Sequence, residues 1–192
     1  MAQPTSKCIR LIIDTLNKPQ ILQKYIFFPQ TSQERNNLKL RFYEKFKIPG
    51  VIGCIDGTHV ALIRPKEFEE RFFNRKHYHS LNTQIICDSD LNILSVDASH
   101  GGASHDSFIW QHHPVHTHMK QLNANNEAVW LLGDSGYPQR SWPMTPITDA
   151  TPEAYYTSLH VTARNVVERT TSISATGTNG SICHVPPKAW ER

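Results

Sequence analysis

The chain has 192 residues, 39% hydrophobic and 19% charged, with a formal net charge of +3. That is length enough for one domain with a real core, and too slight a charge excess to define a polyanion-binding protein on its own. No apolar run approaches the ~18 residues of a membrane span, and no signal peptide opens the chain, so a soluble intracellular protein without a membrane partner is expected. Four cysteines (Cys8, Cys54, Cys87, Cys183) are widely spaced with no C-x-x-C pair. Cys54 and Cys87 sit inside apolar runs, which predicts buried free thiols.

Residues 1–47 read as helical. Ile9, Leu11, Ile12, Leu16, Ile21 and Leu22 recur near helical spacing, interrupted at Pro19. A second period carries Leu38, Leu40, Phe42 and Phe46, with Thr31 or Ser32 to cap it. Pro49-Gly50 breaks the chain. The run from Ile48 to Ile63 then reads as a buried strand, because Val51, Ile52, Ile55, Val60, Leu62 and Ile63 are apolar and mostly β-branched. Residues 64–79 are charged and aromatic, a loop with a helical turn. Leu81–Asp88 and Ile93–Ala98 read as two more strands, joined at the turn signal Asp88-Ser-Asp90.

Gly101-Gly102-Ala103 is a joint, and Ser104 and Asp106 suit the start of a helix containing Phe108 and Ile109. Residues 111–127 are polar and histidine-rich, and read as a surface segment. Nine of the eleven histidines fall between His59 and His118; without cysteine or carboxylate companions at ligand spacing, a zinc site is disfavoured. Residues 128–132 form a short continuous apolar run, a strand buried on both faces. It ends in the tight loop Gly133-Asp-Ser-Gly-Tyr-Pro138. Residues 139–152 are proline-rich and irregular. A last helical pattern runs from Pro152-Glu153 to about Arg169, and the composition after Thr170 is that of turns and linkers. The order is helices, then β-β-β-α-β-α. Three strands on short turns can form an antiparallel meander, and the fourth can lie parallel beside the first. That would bring Asp56 close to Asp134, at strand ends where ligand sites gather.

Asp56 stands out because an unpaired carboxylate among such apolar neighbours costs several kcal/mol, roughly, unless it is paired, protonated or metal-bound. Asp134 reads either as a turn aspartate or as its partner. Glu168 reads either as a surface ion pair with Arg164, one turn earlier, or as a third acid of the same group. Three converging carboxylates cannot all ionise without cations. Oxygen-only ligands select hard ions such as Mg²⁺ or Mn²⁺, and a pair of these can activate a water or a 3′-hydroxyl against a phosphodiester.

The segments Ile55-Asp-Gly-Thr-His59, Phe73-Asn-Arg-Lys-His-Tyr-His-Ser80, Ser104-His-Asp-Ser107, Leu132-Gly-Asp-Ser-Gly-Tyr-Pro138 and Arg164-Asn-Val-Val-Glu168 follow one another in the chain. Together they resemble the successive motifs of the PIF/Harbinger transposase family, whose animal branch is the Harbinger transposase-derived nuclease. The resemblance runs from about Phe28 to Arg169. It implies an α/β, RNase H-like mixed sheet flanked by helices, with an Asp-Asp-Glu triad at Asp56, Asp134 and Glu168 and a divalent cation, Mg²⁺ or Mn²⁺. It further implies a metal-dependent DNA nuclease of transposase origin, located in the nucleus with the cytoplasm as a second location, and with DNA and a Myb-like DNA-binding protein as partners.

Asp106 belongs to the family's motifs as well, and reads either as a helix cap or as a further metal ligand. His59 and His105 are candidates to meet phosphate or to make structural hydrogen bonds. Asn74, Arg75 and Lys76 are candidates to hold nucleic-acid backbone. The chain departs from the family after the glutamate, where Thr170-Thr-Ser-Ile-Ser replaces a glycine, a basic residue and an aromatic. It is expected to be short at both ends, with an N-terminal helical segment at 1–47, a nuclease domain at 48–169 and an irregular tail at 170–192. The alternative is a catalytically inactive, domesticated fragment that binds DNA or protein.

Overall fold

The computed structural model describes residues 4–137, 143–145 and 153–176. The expected irregularity of 139–152, apart from 143–145, lies outside them, as do Cys183 and the chain after residue 176. The order is α1 (Pro4–Leu16), α2 (Pro19–Tyr25), α3 (Ser32–Phe46), β1 (Val51–Ala61), a 3₁₀ turn (Glu69–Arg71), β2 (Ser80–Cys87), β3 (Ile93–Gly101), α4 (Asp106–His112), α5 (Pro114–Ala124), β4 (Trp130–Leu132) and α6 (Glu153–Thr176). No helix among the described residues is long and apolar enough to cross a membrane.

Local chemistry sets these boundaries. Pro19 does not simply break a helix; it opens α2 at the first turn, where its missing N–H costs nothing. Thr31 caps α3 in a reciprocal box with Glu34: the hydroxyl accepts from Glu34 N at 3.2 Å, and the Glu34 carboxylate accepts from Thr31 N at 2.9 Å. Lys47 ends α3 in the left-handed conformation.

The sheet order is β3-β2-β1-β4. β1, β2 and β3 form the antiparallel meander, and β4 lies parallel to β1. Helices cover both faces, giving a mixed α/β sheet flanked by helices, of the RNase H-like kind. On one face Ile52, Ile55 and Ile86 pack with Trp110 of α4 and with Val115, Met119 and Leu122 of α5. On the other, Val51, Cys54, Cys87 and Leu132 pack with Phe42 of α3 and with Ala163, Val166 and Val167 of α6. Cys54 and Cys87 are free, buried and register partners across β1 and β2.

Two sequence expectations are corrected. The histidine-rich stretch is not a polar surface segment. It contains α5, whose buried face is Val115, Met119 and Leu122, at spacings of four and three. The buried His113 caps this helix, its Nδ1 accepting from Val115 N at 3.1 Å. The last helix does not stop near Arg169 but continues to Thr176. Inside it, the Thr170 hydroxyl donates back to Val166 O at 3.0 Å.

One ion pair ties α3 to the turn before β4. Arg35 donates through Nε and Nη2 to the two Glu127 oxygens, each at 2.7 Å, and through Nη1 to Gln30 O at 2.8 Å. The Arg35 side chain is 6% exposed, so this is a forked, desolvated clamp rather than a surface pair. Arg35→Ala is predicted to destabilise the fold by about 2 kcal/mol, a discounted value because Glu127 keeps some solvent and Lys39. Thermal melts check this: a fall of roughly 4–8 °C is expected, and an unchanged midpoint contradicts it.

Candidate active site

β1 carries Asp56 on the face that packs against α6. Cys54, two residues earlier and on the same side of the pleat, belongs to the α6-facing core. The parallel register pairs Cys54 with Leu132. Two residues further along both chains, that register leads from Asp56 to Asp134, just past the end of β4. The Asp134 carboxylate also does what a turn aspartate does, accepting from Gly136 N at 2.9 Å.

α6 supplies a cation to this acid. Arg164 Nη2 lies 3.5 Å from Asp56 Oδ1 and 3.8 Å from Glu168 Oε1. The i,i+4 pair with Glu168 expected from sequence is therefore present, but the same guanidinium also bridges to Asp56 on β1. Glu168 is the most open of the three, with 54% side-chain exposure against 18% for Asp56 and 12% for Arg164.

Asp106 does not cap α4. The cap position is His105, which makes no side-chain cap bond, and Asp106 stands in the first turn. Its carboxylate turns to β2 instead: Asn82 Nδ2 donates to Asp106 Oδ1 at 2.7 Å and to Ser104 O at 2.9 Å. Gly57 makes this possible, because a Cβ there would collide with Asp106 Oδ1 and press on Asn82 Oδ1. The pleat turns Asp56 and Gly57 to opposite sides of β1. Asp106 therefore approaches from the other side of the strand.

The charges are incompletely balanced. Burial first, then Asp134 and Asp106, push the Asp56 carboxyl up to about 6, while Arg164 and a Gly57 backbone hydrogen bond pull it down. Tyr137 is buried beside the same acids. Desolvation, with Asp106, Asp56 and Asp134 behind it, holds its phenol well above the usual tyrosine range, and its oxygen accepts from Gln84 Nε2 at 3.0 Å.

The other candidates divide. His59 Nδ1 lies 3.0 Å from Ser80 Oγ. Burial lowers its pKa against the pull of Asp106, with Lys76 and Arg75 adding to the lowering, so it is neutral at pH 7. His105 is exposed. Asn74 is buried: its Nδ2 donates to Ser80 Oγ at 2.7 Å and its Oδ1 accepts from Lys76 N and Tyr78 N. It shapes the loop from inside, which corrects the expectation of an outward contact. Arg75 and Lys76 face solvent.

Asn82, Gln84 and the role of Arg164 toward Asp56 were not found in the sequence. The two amides sit in a strand run with nothing to mark them. Asn82 Oδ1, Gln84 Oε1 and Arg164 Nε are buried and lack hydrogen-bond partners among the described residues. For a hard cation the donor chemistry fits: carboxylates on β1, past β4 and on α6, with unpartnered amide oxygens beside Asp106. In the present arrangement, though, no three His, Cys, Asp or Glu side chains among the described residues are grouped closely enough to hold an ion.

The mixed sheet carries Asp56 midway along β1 and Asp134 just past the end of β4, with Glu168 on the covering helix, and residues 55–174 match the family described as DDE superfamily endonuclease. The chain belongs to that family, in its Harbinger-derived branch. It is 31% identical to "Putative nuclease HARBI1" of Bos taurus over 193 residues, covering 96% of this chain and 54% of that protein. It is 32% identical to the Mus musculus protein of the same name over 167 residues, 86% of this chain and 47% of that one. "Protein ALP1-like" of Arabidopsis thaliana is 23% identical over 124 residues, 58% of this chain and 30% of that protein. The chain thus spans about half the length of the animal relatives. No solved structure matches.

The position of Asp56 predicts a pH effect on stability. Its folded pKa is raised above the unfolded value, so the native state holds the extra proton and stability falls as pH rises between about 4 and 6. Above that window the buried charge costs ~1–3 kcal/mol. Asp56→Asn is therefore expected to melt higher than the wild type at pH 7, with the gap closing by pH 4. A variant no more stable than wild type at pH 7 contradicts this.

Proposed function

We propose that the chain is a metal-dependent DNA nuclease of transposase origin, hydrolysing phosphodiester bonds. The observation that carries this reading is that Arg164 of α6 contacts both Asp56 on β1 and Glu168, while the β1–β4 register leads from Asp56 toward Asp134. Asp56, Asp134 and Glu168, with Asp106 from across the strand, would hold the divalent cations, Mg²⁺ or Mn²⁺. Bound there, such ions would lower the pKa of an attacking water and neutralise charge on the leaving oxygen, by a two-metal Asp-Asp-Glu mechanism. The chain's own residues prepare for this. Arg164 orients two of the acids, Gln84 donates to Tyr137 and to Asp106 O, and Asn82 fixes the Asp106 carboxylate. Arg75 and Lys76 offer exposed cations to phosphate on the loop whose charge reaches His59. Location in the nucleus follows from this substrate, and a Myb-like DNA-binding partner belongs to the same reading.

A second reading has its own support. Arg164 already neutralises part of the acid group, and no three ligands meet around one point among the described residues. That arrangement suits a domesticated module which binds DNA or protein without cutting.

In a plasmid-nicking assay the chain is expected to cut only with Mg²⁺ or Mn²⁺, and Asp56→Asn or Asp134→Asn to lower the rate at least 100-fold, about 3 kcal/mol of barrier. Cleavage in excess chelator, or full activity in either variant, refutes the nuclease reading. Reversing Arg75 and Lys76 to glutamate is expected to weaken DNA binding without regard to sequence, and to flatten its log–log salt slope by roughly two. A slope unchanged in that variant removes these residues from the interface.

A further inference from the structure

A cavity of about 560 Å³ opens between the 3₁₀ turn and the junction of β3 with α4. It falls in the usual size range for small-ligand pockets, roughly 300–1,000 Å³. Phe68, Phe72, Phe108, His100, Arg71 and Ser104 line it. Two of the rings face solvent: Phe68 is 62% exposed and Phe108 49%. Large apolar rings on a concave, open surface cost free energy unless something covers them.

These rings are also held in place. Phe108 is clustered with two imidazoles, 4.4 Å from the His112 centroid and 5.8 Å from that of His100, which are themselves 6.5 Å apart. The Arg71 guanidinium sits 5.7 Å from the Phe68 ring centre. The 3₁₀ turn is fixed to the β3–α4 junction, because Ala103 N donates to Arg71 O at 3.1 Å. A side chain at Gly101 would strike Arg71 O, so this close approach needs the glycine. The result is a pair of aromatic rings with a cation over Phe68.

The cavity adjoins Asp106, on its side of β1. His59, Asn82 and His100 stand side by side across β1, β2 and β3. Asn82 holds Asp106 with one amide hydrogen and Ser104 O, on the cavity wall, with the other. Two strand spacings, about 10 Å, separate His100 from β1. A DNA strand with a phosphate at the carboxylates would bring a base a few nucleotides away to the cavity mouth, at ~3.4 Å per stacked nucleotide. Aromatic faces stack on any base, and Arg71 adds a cation for the adjoining phosphate. Glu70 also lines the rim and would turn that phosphate toward Arg71.

We propose that this aromatic cavity receives an unstacked nucleobase of the DNA strand leading to the carboxylates, with Phe108 and Phe68 as its stacking faces. The proposal rests on the reading of DNA as substrate. It makes the chain a reader of single-stranded or opened DNA beside the cut, rather than of intact duplex alone.

The test uses the full chain and a labelled duplex with a single-stranded overhang, carrying either bases or abasic residues at the same phosphate count. Anisotropy without divalent metal gives the dissociation constants. The wild type is expected to bind the base-bearing overhang about tenfold more tightly. Phe108→Leu, which keeps apolar volume, should lose that preference, and Phe108→Tyr should retain it. Equal preference in wild type and Phe108→Leu overturns the proposal, as does no preference or no DNA binding in the wild type. Cleavage by Mn²⁺-loaded wild type, run in parallel, separates the two claims. Cutting without the base preference removes the cavity's role and leaves the nuclease; the preference without cutting does the reverse.

Discussion

A carboxylate on a buried strand, held against an arginine from the last helix, is the constraint on which the site depends. Asp56 sits among residues that exclude water, and the acids at Asp134 and Asp106 add repulsion, so its carboxyl is pushed up to about 6. Arg164 offsets part of that cost and at the same time fixes the rotation of α6 against β1. Val166 and Val167 then enter the core, and Glu168 is carried to the rim of the site. The ion pair and the packing of α6 thus support each other, which makes the helix carrying Glu168 a structural as well as a chemical part of the site.

The opposite face of β1 follows a similar logic. Gly57 leaves room for the Asp106 carboxylate to approach the strand, and Asn82 pins it there. One residue changes which face of the strand an acid meets. Asp56 therefore answers to α6 while Asp106 answers to β2, and the aspartates surround β1 instead of crowding a single point. Partial neutralisation by Arg164 and this separation let the fold carry several acids around one strand.

The meander, the parallel fourth strand and the approach of Asp134 to Asp56 were legible in the sequence, because they rest on continuous apolar runs and short turns, which signal strands and their connections strongly. The capping of α3 was legible for the same local reason. What was lost depends on long-range contact. Residues 111–127 looked polar because histidines mask the four-and-three spacing of Val115, Met119 and Leu122, and a buried cap such as His113 has no sequence signature. Asp106 suited a cap by position, but His105 holds the cap position and the Asp106 carboxylate meets Asn82 on β2. Asn74 looked like a surface contact, since nothing in a charged loop reveals that one amide has turned inward to organise it. Arg164 was read toward Glu168 and not toward Asp56, because the first pairing is local and the second spans more than half the chain.

Calorimetric titration of Mn²⁺ into the full chain tests the central claim most directly. The acids around Asp56 should bind the ion saturably and, at pH 6, release roughly half a proton from Asp56, seen as a heat that varies with the buffer's ionisation enthalpy. The account predicts that both the binding and the proton release disappear in Asp134→Asn. No binding at millimolar Mn²⁺, or binding unaffected by that substitution, contradicts it and favours a module that holds DNA or protein without cutting.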